Sequence, residues 1–187
     1  MATEYENIKL NDVILTRKEI ESRAAEIGSQ ITEDYRGKEV TFIGILRGAV
    51  MWLSELVKSV ELITEIDFMA VSSYGAATKS SGVVKIIKDL DADIEGKHII
   101  IVEDIVDSGT TLNYLREYLM SRKPASLRIC SLLDKPGGRK IPIDVDYVGF
   151  QVGNVFIVGY GLDMDQKFRN LPYITSVTEK KEEGNGL

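Results

Sequence analysis

The sequence predicts an α/β fold, a mostly parallel twisted sheet flanked by helices. Three observations predict it. Short runs rich in β-branched residues alternate with segments of helical character along most of the chain. The run 98–102, HIIIV, is apolar at every position after its histidine, as expected of a strand covered on both faces. The segment 15–35 places Ile20, Ala24, Ile27 and Ile31 at spacings of three and four, on one face of a helix. Strands that alternate with helices close into parallel sheets, because each crossover needs a connection of helical length.

The elements follow in order. Thr16 caps the first helix, which Arg36 and Gly37 end. A strand over 40–45 (VTFIGI) leads through the turn LRGAV into a helix over 49–59. Strands are expected at 63–72 and 83–87. The polar, Ser- and Gly-rich stretch between them is a functional or mobile loop. After the strand 98–102 come the acidic stretch EDIVDSG and a helix over 110–121. Strands at 126–133, 147–149, 155–158 and 174–177 complete the sheet, with the turn-rich DKPGGRKIP after the first of them. Residues 1–187 read as a single domain, with 178–187 a frayed tail.

Composition narrows the function classes. Of the 187 residues, 44% are hydrophobic and 28% charged, the balance of an ordinary globular protein. A net charge of −6 argues against a chain that coats nucleic acid by neutralising phosphates. The single cysteine, Cys130, excludes an intrachain disulfide and a cysteine metal cluster, and its apolar setting predicts a core position. The single histidine, His98, is expected to be structural or exposed. The polar, acidic N-terminus has no secretory pattern, and no apolar run reaches the length of a membrane span, so a cytoplasmic setting is expected.

The most informative stretch is IIIVEDIVDSGTTL. It reads as a strand, two adjacent carboxylates, a short turn and a helix start. Ligands of open α/β sheets bind at the carboxyl ends of strands. The turn Asp107, Ser108, Gly109, Thr110 and Thr111 supplies backbone N–H groups and small hydroxyls, the materials of an anion cradle. It lacks the lysine of a P-loop and suits a phosphate monoester. Glu103 and Asp104, side by side at a strand end, call for a cation such as magnesium or for a ribose diol. Taken singly, they could equally be surface acids, with Asp107 and Ser108 as helix caps.

As a string, VEDIVDSGTT at 102–111 resembles the signature of the type I phosphoribosyltransferases, and the chain from about residue 15 to 174 resembles the bacterial hypoxanthine–guanine branch of that family. The resemblance implies the family fold, with a small hood built from the chain ends. It also implies Mg²⁺ as cofactor, phosphoribosyl pyrophosphate and a 6-oxopurine base as substrates, and a homodimer or homotetramer. LRGA resembles the family's pyrophosphate loop, in which a non-proline cis peptide joins the first two residues. By that resemblance Leu46, Arg47 and Gly48 bind pyrophosphate, with Arg47 where many members have lysine. SSYG resembles the lid that closes over the site, and gives Ser73 and Tyr74 pyrophosphate contacts.

Further resemblances supply the base site. Lys135 matches a lysine that donates to the purine O6, a contact that disfavours the amino group of adenine. Phe156 matches an aromatic that stacks on the base, with the backbone of Val155 and Ile157 at the base edge. On periodicity alone Phe156 would be core. Asp163 matches a residue that holds a second magnesium near the guanine amino group, so the implied metal set is Glu103, Asp104 and Asp163. Arg169 matches an arginine that meets pyrophosphate. Met164 and Asp165 depart from a common Tyr followed by a small or polar residue. Asp107 matches the residue near purine N7 and is the candidate general acid/base. A regulatory RNA-binding chain of the same fold is the alternative from another class, and the acidic charge counts against it. The choice among hypoxanthine, guanine and xanthine stays open.

Overall fold

The computed structural model describes residues 8–73 and 84–179. Among them, nine strands form two sheets. The larger sheet contains β2 (Val40–Leu46), β3 (Thr64–Ser73), β4 (Val84–Lys88), β5 (His98–Val106), β6 (Ser126–Asp134) and β7 (Tyr147–Gln151). Their order is β4-β3-β2-β5-β6-β7. Every pairing in it is parallel except β3 with β4. The sheet is therefore mostly parallel, as its alternating pattern predicts.

Alternation along β5 shows why its apolar run is unbroken. Ile100 and Val102 pack on one face with Phe42, Leu53 and Trp52. That face is covered by α1 (Arg17–Asp34) and α2 (Val50–Val57), whose buried residues join the same cluster. Ile99 and Ile101 face the other side, with Leu112, Leu115 and Leu119 of α3 (Thr110–Met120). Both faces are dry, so a polar residue anywhere in this stretch would need a buried partner. Cys130 is fully buried in the first cluster. His98 is half-buried, with Nδ1 2.8 Å from the Ser126 hydroxyl.

Thr16 caps α1 as its sequence suggests. Its hydroxyl accepts from the Glu19 N–H while the Glu19 carboxylate accepts from the Thr16 N–H, a complete capping box. Leu15 falls outside that helix and ends β1 (Ile8–Leu15), which the sequence pattern does not announce. β1 pairs antiparallel with β9 (Ile174–Glu179), which pairs with the two-residue β8 (Ile157–Val158). This small second sheet joins the two ends of the chain, the arrangement that the hood of the resembling family implies. β1 is hard to read because its register shifts twice, between Leu10 and Val13 and again before Leu15. Such irregularities break the two-residue period on which strand recognition depends.

Two further boundaries differ from the sequence reading. β5 runs four residues past 102, so Glu103 and Asp104 lie within a strand and not in a loop behind it. The strands expected at 155–158 and 174–177 belong to the small second sheet and not to the main one, and the first of them starts at Ile157, which leaves Val155 and Phe156 outside it.

At the far end of the sheet, the Tyr147 hydroxyl donates to Asp34 at 2.7 Å, and Arg128 pairs with the same carboxylate. These contacts tie α1 to β6 and β7. The Tyr147 hydrogen bond, helped by Arg128 and opposed by partial burial, holds the Asp34 carboxyl below its usual range. A depressed folded-state value stabilises the fold above the unfolded value and loses that contribution as pH falls through the folded one. Asp34→Asn should therefore lower the urea midpoint near neutral pH and flatten the loss of stability between about pH 5 and about pH 2. Parallel urea titrations of the two proteins across that range check this, and equal slopes would show that Asp34 carries no linkage.

Candidate active site

The site lies where the loops leave the carboxyl ends of β2, β5 and β6. Because side chains alternate along a strand, Glu103 and Asp104 point to opposite faces. Glu103 lines a cavity of about 130 Å³ with Asp107, Ser108, Gly109 and Thr111. Asp104 lies on the other side, against the turn after β2. A Cβ on Gly48 would fall 1.5 Å from the Asp104 Oδ2. Only a glycine lets the backbone of that turn lie on the carboxylate.

The turn itself holds Leu46, Arg47 and Gly48, with a cis peptide between Leu46 and Arg47. A second glycine seals it from above. Gly161 has φ +102, and a Cβ there would meet the Gly48 carbonyl at 2.0 Å. Gly161 opens the loop that carries Asp163 and Arg169. The loop is tied by Gly161 N–H to the Arg169 carbonyl at 3.0 Å and by the Arg169 guanidinium to the Gly161 carbonyl at 2.6 Å. Arg169 also pairs with Asp163 at 2.6 Å.

The departure at Met164 and Asp165 forms a tight reversal. Met164 and Lys167 exchange backbone hydrogen bonds, and Asp165 and Gln166 between them both have positive φ. This is the requirement of a two-residue hairpin turn, for which Asp is favoured over β-branched residues. The reversal presents Gln166, which the sequence reading passed over. Its side-chain oxygen accepts from Arg47 at 2.9 Å and from Arg169 at 3.1 Å. Two guanidiniums from distant segments thus meet on one neutral acceptor beside the cis turn. That is a cationic corner suited to a polyanion.

The two carboxylates on β5 are electrostatically uncomfortable. Burial, reinforced by Asp104, raises the Glu103 carboxyl well above its usual range. Burial also pushes the Asp104 carboxyl up to about 6, against the pull of the Ile105 N–H and Arg169 and with the push of Asp163. Among the described residues, no three His, Cys, Asp or Glu side chains converge as a ready-made metal cage. The donors nonetheless suit magnesium, which commonly takes one or two protein carboxylates and completes its shell with water and substrate phosphate.

The turn from Asp107 to Thr111 has the form of an anion cradle. Gly109, at φ +78, is the N-cap of α3, and Ser108 and Thr110 hydroxyls lie 3.4 Å apart. Among the described residues the N–H groups of Ser108 and Gly109 meet no protein acceptor. Orphan amides at a helix start are anion donors.

Lys135 is buried, with its ammonium 3.2 Å from the Val155 carbonyl and 3.7 Å from the Asp107 carboxylate. Phe156 is 57% exposed. The core position that its apolar run suggests is thus ruled out, and the ring is free to stack. Ser73 ends β3, while Tyr74 and the rest of the polar loop lie outside the described residues. A larger cleft of about 360 Å³ opens at the opposite ends of the strands, between Lys38, Glu39, Glu65 and Lys97. Lys97 and Glu65 are paired there at 2.5 Å, so its charges already answer one another and size does not locate the chemistry.

Comparison with known proteins fits this geometry. Residues 11–165 match the model of the phosphoribosyl transferase domain. The chain belongs to the phosphoribosyl transferase family. It is 49% identical over 165 residues to the hypoxanthine-guanine phosphoribosyltransferase of Bacillus subtilis (strain 168), covering 88% of this chain and 92% of that one. It is 48% identical over 171 residues to the enzyme of the same name from Mycobacterium avium, covering 88% and 84%. Among solved structures, a hypoxanthine phosphoribosyltransferase from Staphylococcus aureus superposes with a TM-score of 0.87 at 48% identity, over 90% of this chain and 92% of that one. The family fold, with its central mostly parallel sheet, is therefore the fold of this chain.

The contact between Gly48 and Asp104 gives a sharp test within this phosphoribosyl transferase. Gly48→Ala should lower kcat/KM for the phosphorylated substrate by about 10²-fold, because the turn or the Asp104 carboxylate must shift by an ångström or more to relieve the clash. Steady-state kinetics against that substrate check it, and an unchanged kcat/KM would show that the turn has no part in the reaction.

Proposed function

We propose that this chain is a purine-salvage enzyme that transfers the phosphoribosyl group of phosphoribosyl pyrophosphate to N9 of hypoxanthine or guanine, giving IMP or GMP and pyrophosphate. One observation carries the reading: an anion cradle, a cationic corner and a buried lysine beside an exposed aromatic surround the end of one strand. Each answers one part of the substrate pair. The relatives named for this activity support it.

The reaction exchanges one bond for another. The bond from C1′ to the pyrophosphate oxygen breaks as the bond from C1′ to N9 forms. The N–H groups and hydroxyls of Ser108, Gly109, Thr110 and Thr111 hold the 5′-phosphate, which anchors the sugar. Glu103 and Asp104 orient the ribose hydroxyls from the two faces of β5. Arg47 and Arg169 receive the charge that accumulates on the leaving group, alongside the Leu46–Gly48 backbone and Ser73 and Tyr74. Magnesium would be held by Asp163 and by Glu103 or Asp104 with substrate oxygens, and would supply charge neutralisation of the pyrophosphate.

At the base, Phe156 stacks on the purine while Val155 and Ile157 meet its edge through backbone. Lys135 donates to O6, and the same cation would face the donor amino group of adenine without a matching acceptor. The Asp107 carboxylate takes the proton from N7 as N9 attacks, so no charge builds on the base. With this reading go a single domain spanning 1–187, a cytoplasmic setting and a homodimer or homotetramer, the last resting on the family resemblance alone.

The test is product formation from phosphoribosyl pyrophosphate and Mg²⁺ with hypoxanthine, guanine, xanthine, adenine and uracil in parallel. Turnover is expected with the 6-oxopurines hypoxanthine and guanine and not with adenine or uracil. No turnover with any base, together with tight binding of phosphoribosyl pyrophosphate, would replace this reading with a regulatory one. In the same assay, Asp107→Asn should lower kcat by about 10²-fold with a smaller effect on KM. An unchanged kcat would remove Asp107 from the chemistry.

A further inference from the structure

The carbonyls of Val106, Asp107 and Ser108, which lead into the turn, are all taken up by one other segment. The Val106 carbonyl accepts from the Lys135 N–H at 3.0 Å and from the Arg139 guanidinium at 2.6 Å. The Asp107 carbonyl accepts from the same guanidinium nitrogen at 2.7 Å. The Ser108 carbonyl accepts from the N–H groups of Lys140 and Ile141 at 2.9 and 3.1 Å. In a trans peptide the N–H points opposite to the carbonyl of the residue before it. Fixing the carbonyls of residues 106, 107 and 108 on one side therefore turns the N–H groups of Asp107, Ser108 and Gly109 to the other. The cavity lined by Glu103, Asp107, Ser108 and Gly109 adjoins these amides.

Arg139 is the side chain at the centre of this arrangement. Its second guanidinium nitrogen pairs with the Asp134 carboxylate, and both side chains are mostly buried. The planar fork thus holds the end of β6 and two successive carbonyls at the end of β5 with one group, which an ammonium could not match. Gly138 lets the segment lie close enough, since a Cβ there would fall 1.9 Å from the Asp107 Oδ1. Lys135 sits at the start of the same segment, with its ammonium near the Asp107 carboxylate.

We propose that Arg139 is a positioning residue: paired with Asp134, it fixes the peptides of residues 106–108, and with them Asp107, the phosphate-facing amides and the base-reading Lys135, as one unit. Its kinetic consequence rests on the transferase reading, while its structural consequence does not. Arg139 touches neither substrate in this account and acts through Asp107 and the turn.

The experiment compares the full chain with Arg139→Met and with the double variant Asp134→Asn, Arg139→Met. The double variant removes the buried pair as a whole, so no unpaired carboxylate is left to unfold the protein. Two readouts are taken: amide hydrogen exchange of Lys135, Lys140 and Ile141 relative to the core strand amide of Ile100, and kcat against KM. Exchange at the three loop amides is expected to rise at least about ten-fold while Ile100 stays protected. kcat is expected to fall by about 10²-fold with KM for the base changed far less, and Arg139→Lys should restore only part of it. Unchanged exchange in the double variant would overturn the proposal. So would faster exchange with kcat intact, since the clamp would then have no part in the reaction. If the unaltered protein turned over no base, the transferase reading would fail instead, and the exchange comparison would still decide whether Arg139 holds the turn.

Discussion

The constraint on which the site depends is a half-buried carboxylate at the end of the central strand. Asp104 is half-buried at the end of β5, against the turn after β2, where partial loss of water penalises its charge. Removing an ion from water costs several kcal/mol even after the protein relaxes. A hydrogen bond to a charged group returns only about 1.5–3 kcal/mol, and Asp104 has one from the Ile105 N–H. The remainder shows as a carboxyl pushed up to about 6. The neighbours are arranged around that deficit. Gly48 brings backbone onto the carboxylate, Gly161 packs over Gly48, and the loop that Gly161 opens returns Arg169 to the vicinity. The fold tolerates an unfavourable charge at the place where a polar, cation-bearing substrate would relieve it.

The same logic separates the two acids that stand next to each other in the chain. Adjacent residues of a strand cannot share a face, so Glu103 and Asp104 serve two sides of the sheet. Glu103 belongs with the 107–111 turn and α3, Asp104 with the cis turn and the loop that Gly161 opens. A pair that looks like a chelate in the sequence is a partition in space. It separates the cavity beside the 107–111 turn from the cis turn after β2, and both are reached from one strand. The third acid, Asp163, is already engaged by Arg169 and by the Gln166 N–H. Any metal there would have to share it with a guanidinium.

What was legible in the sequence follows from how local each signal is. VTFIGI and HIIIV announce buried strands because both faces of the sheet demand apolar residues, and that demand is written in consecutive letters. The capping box of Thr16 and Glu19 is equally local. DSGTT reads as an anion turn because its chemistry lies within five residues. β1 was not legible, since two register shifts erase its period and its partner β9 lies at the other end of the chain. Phe156 was ambiguous for a different reason. An apolar run does not say whether its strand begins at Val155 or at Ile157, and two residues decide between a core ring and an exposed one. Gly48, Gly138 and Gly161 each answer to an atom far along the chain, so nothing beside them in the sequence explains them.

The contacts the sequence hid most completely are those that couple the parts of the site. Gln166 joins two arginines 122 positions apart (169 − 47), and Arg139 reaches back to carbonyls 33 and 32 positions earlier. Neither carries a recognisable motif. A glutamine in a polar loop and an arginine after two glycines are ordinary surface sequence until the fold closes. Their roles also differ in kind from those of the motif residues. A cradle of amides needs only the right local turn, but catalysis needs that turn held at a fixed distance from the base site, within roughly half an ångström. β6 alone cannot supply this, because its ladder with β5 ends at Asp134. Beyond that point the fork of Arg139 and the amides of Lys140 and Ile141 continue the pairing by other means. They carry the register of the sheet into the loops, and the placement of the 107–109 turn against Lys135 rests on that continuation.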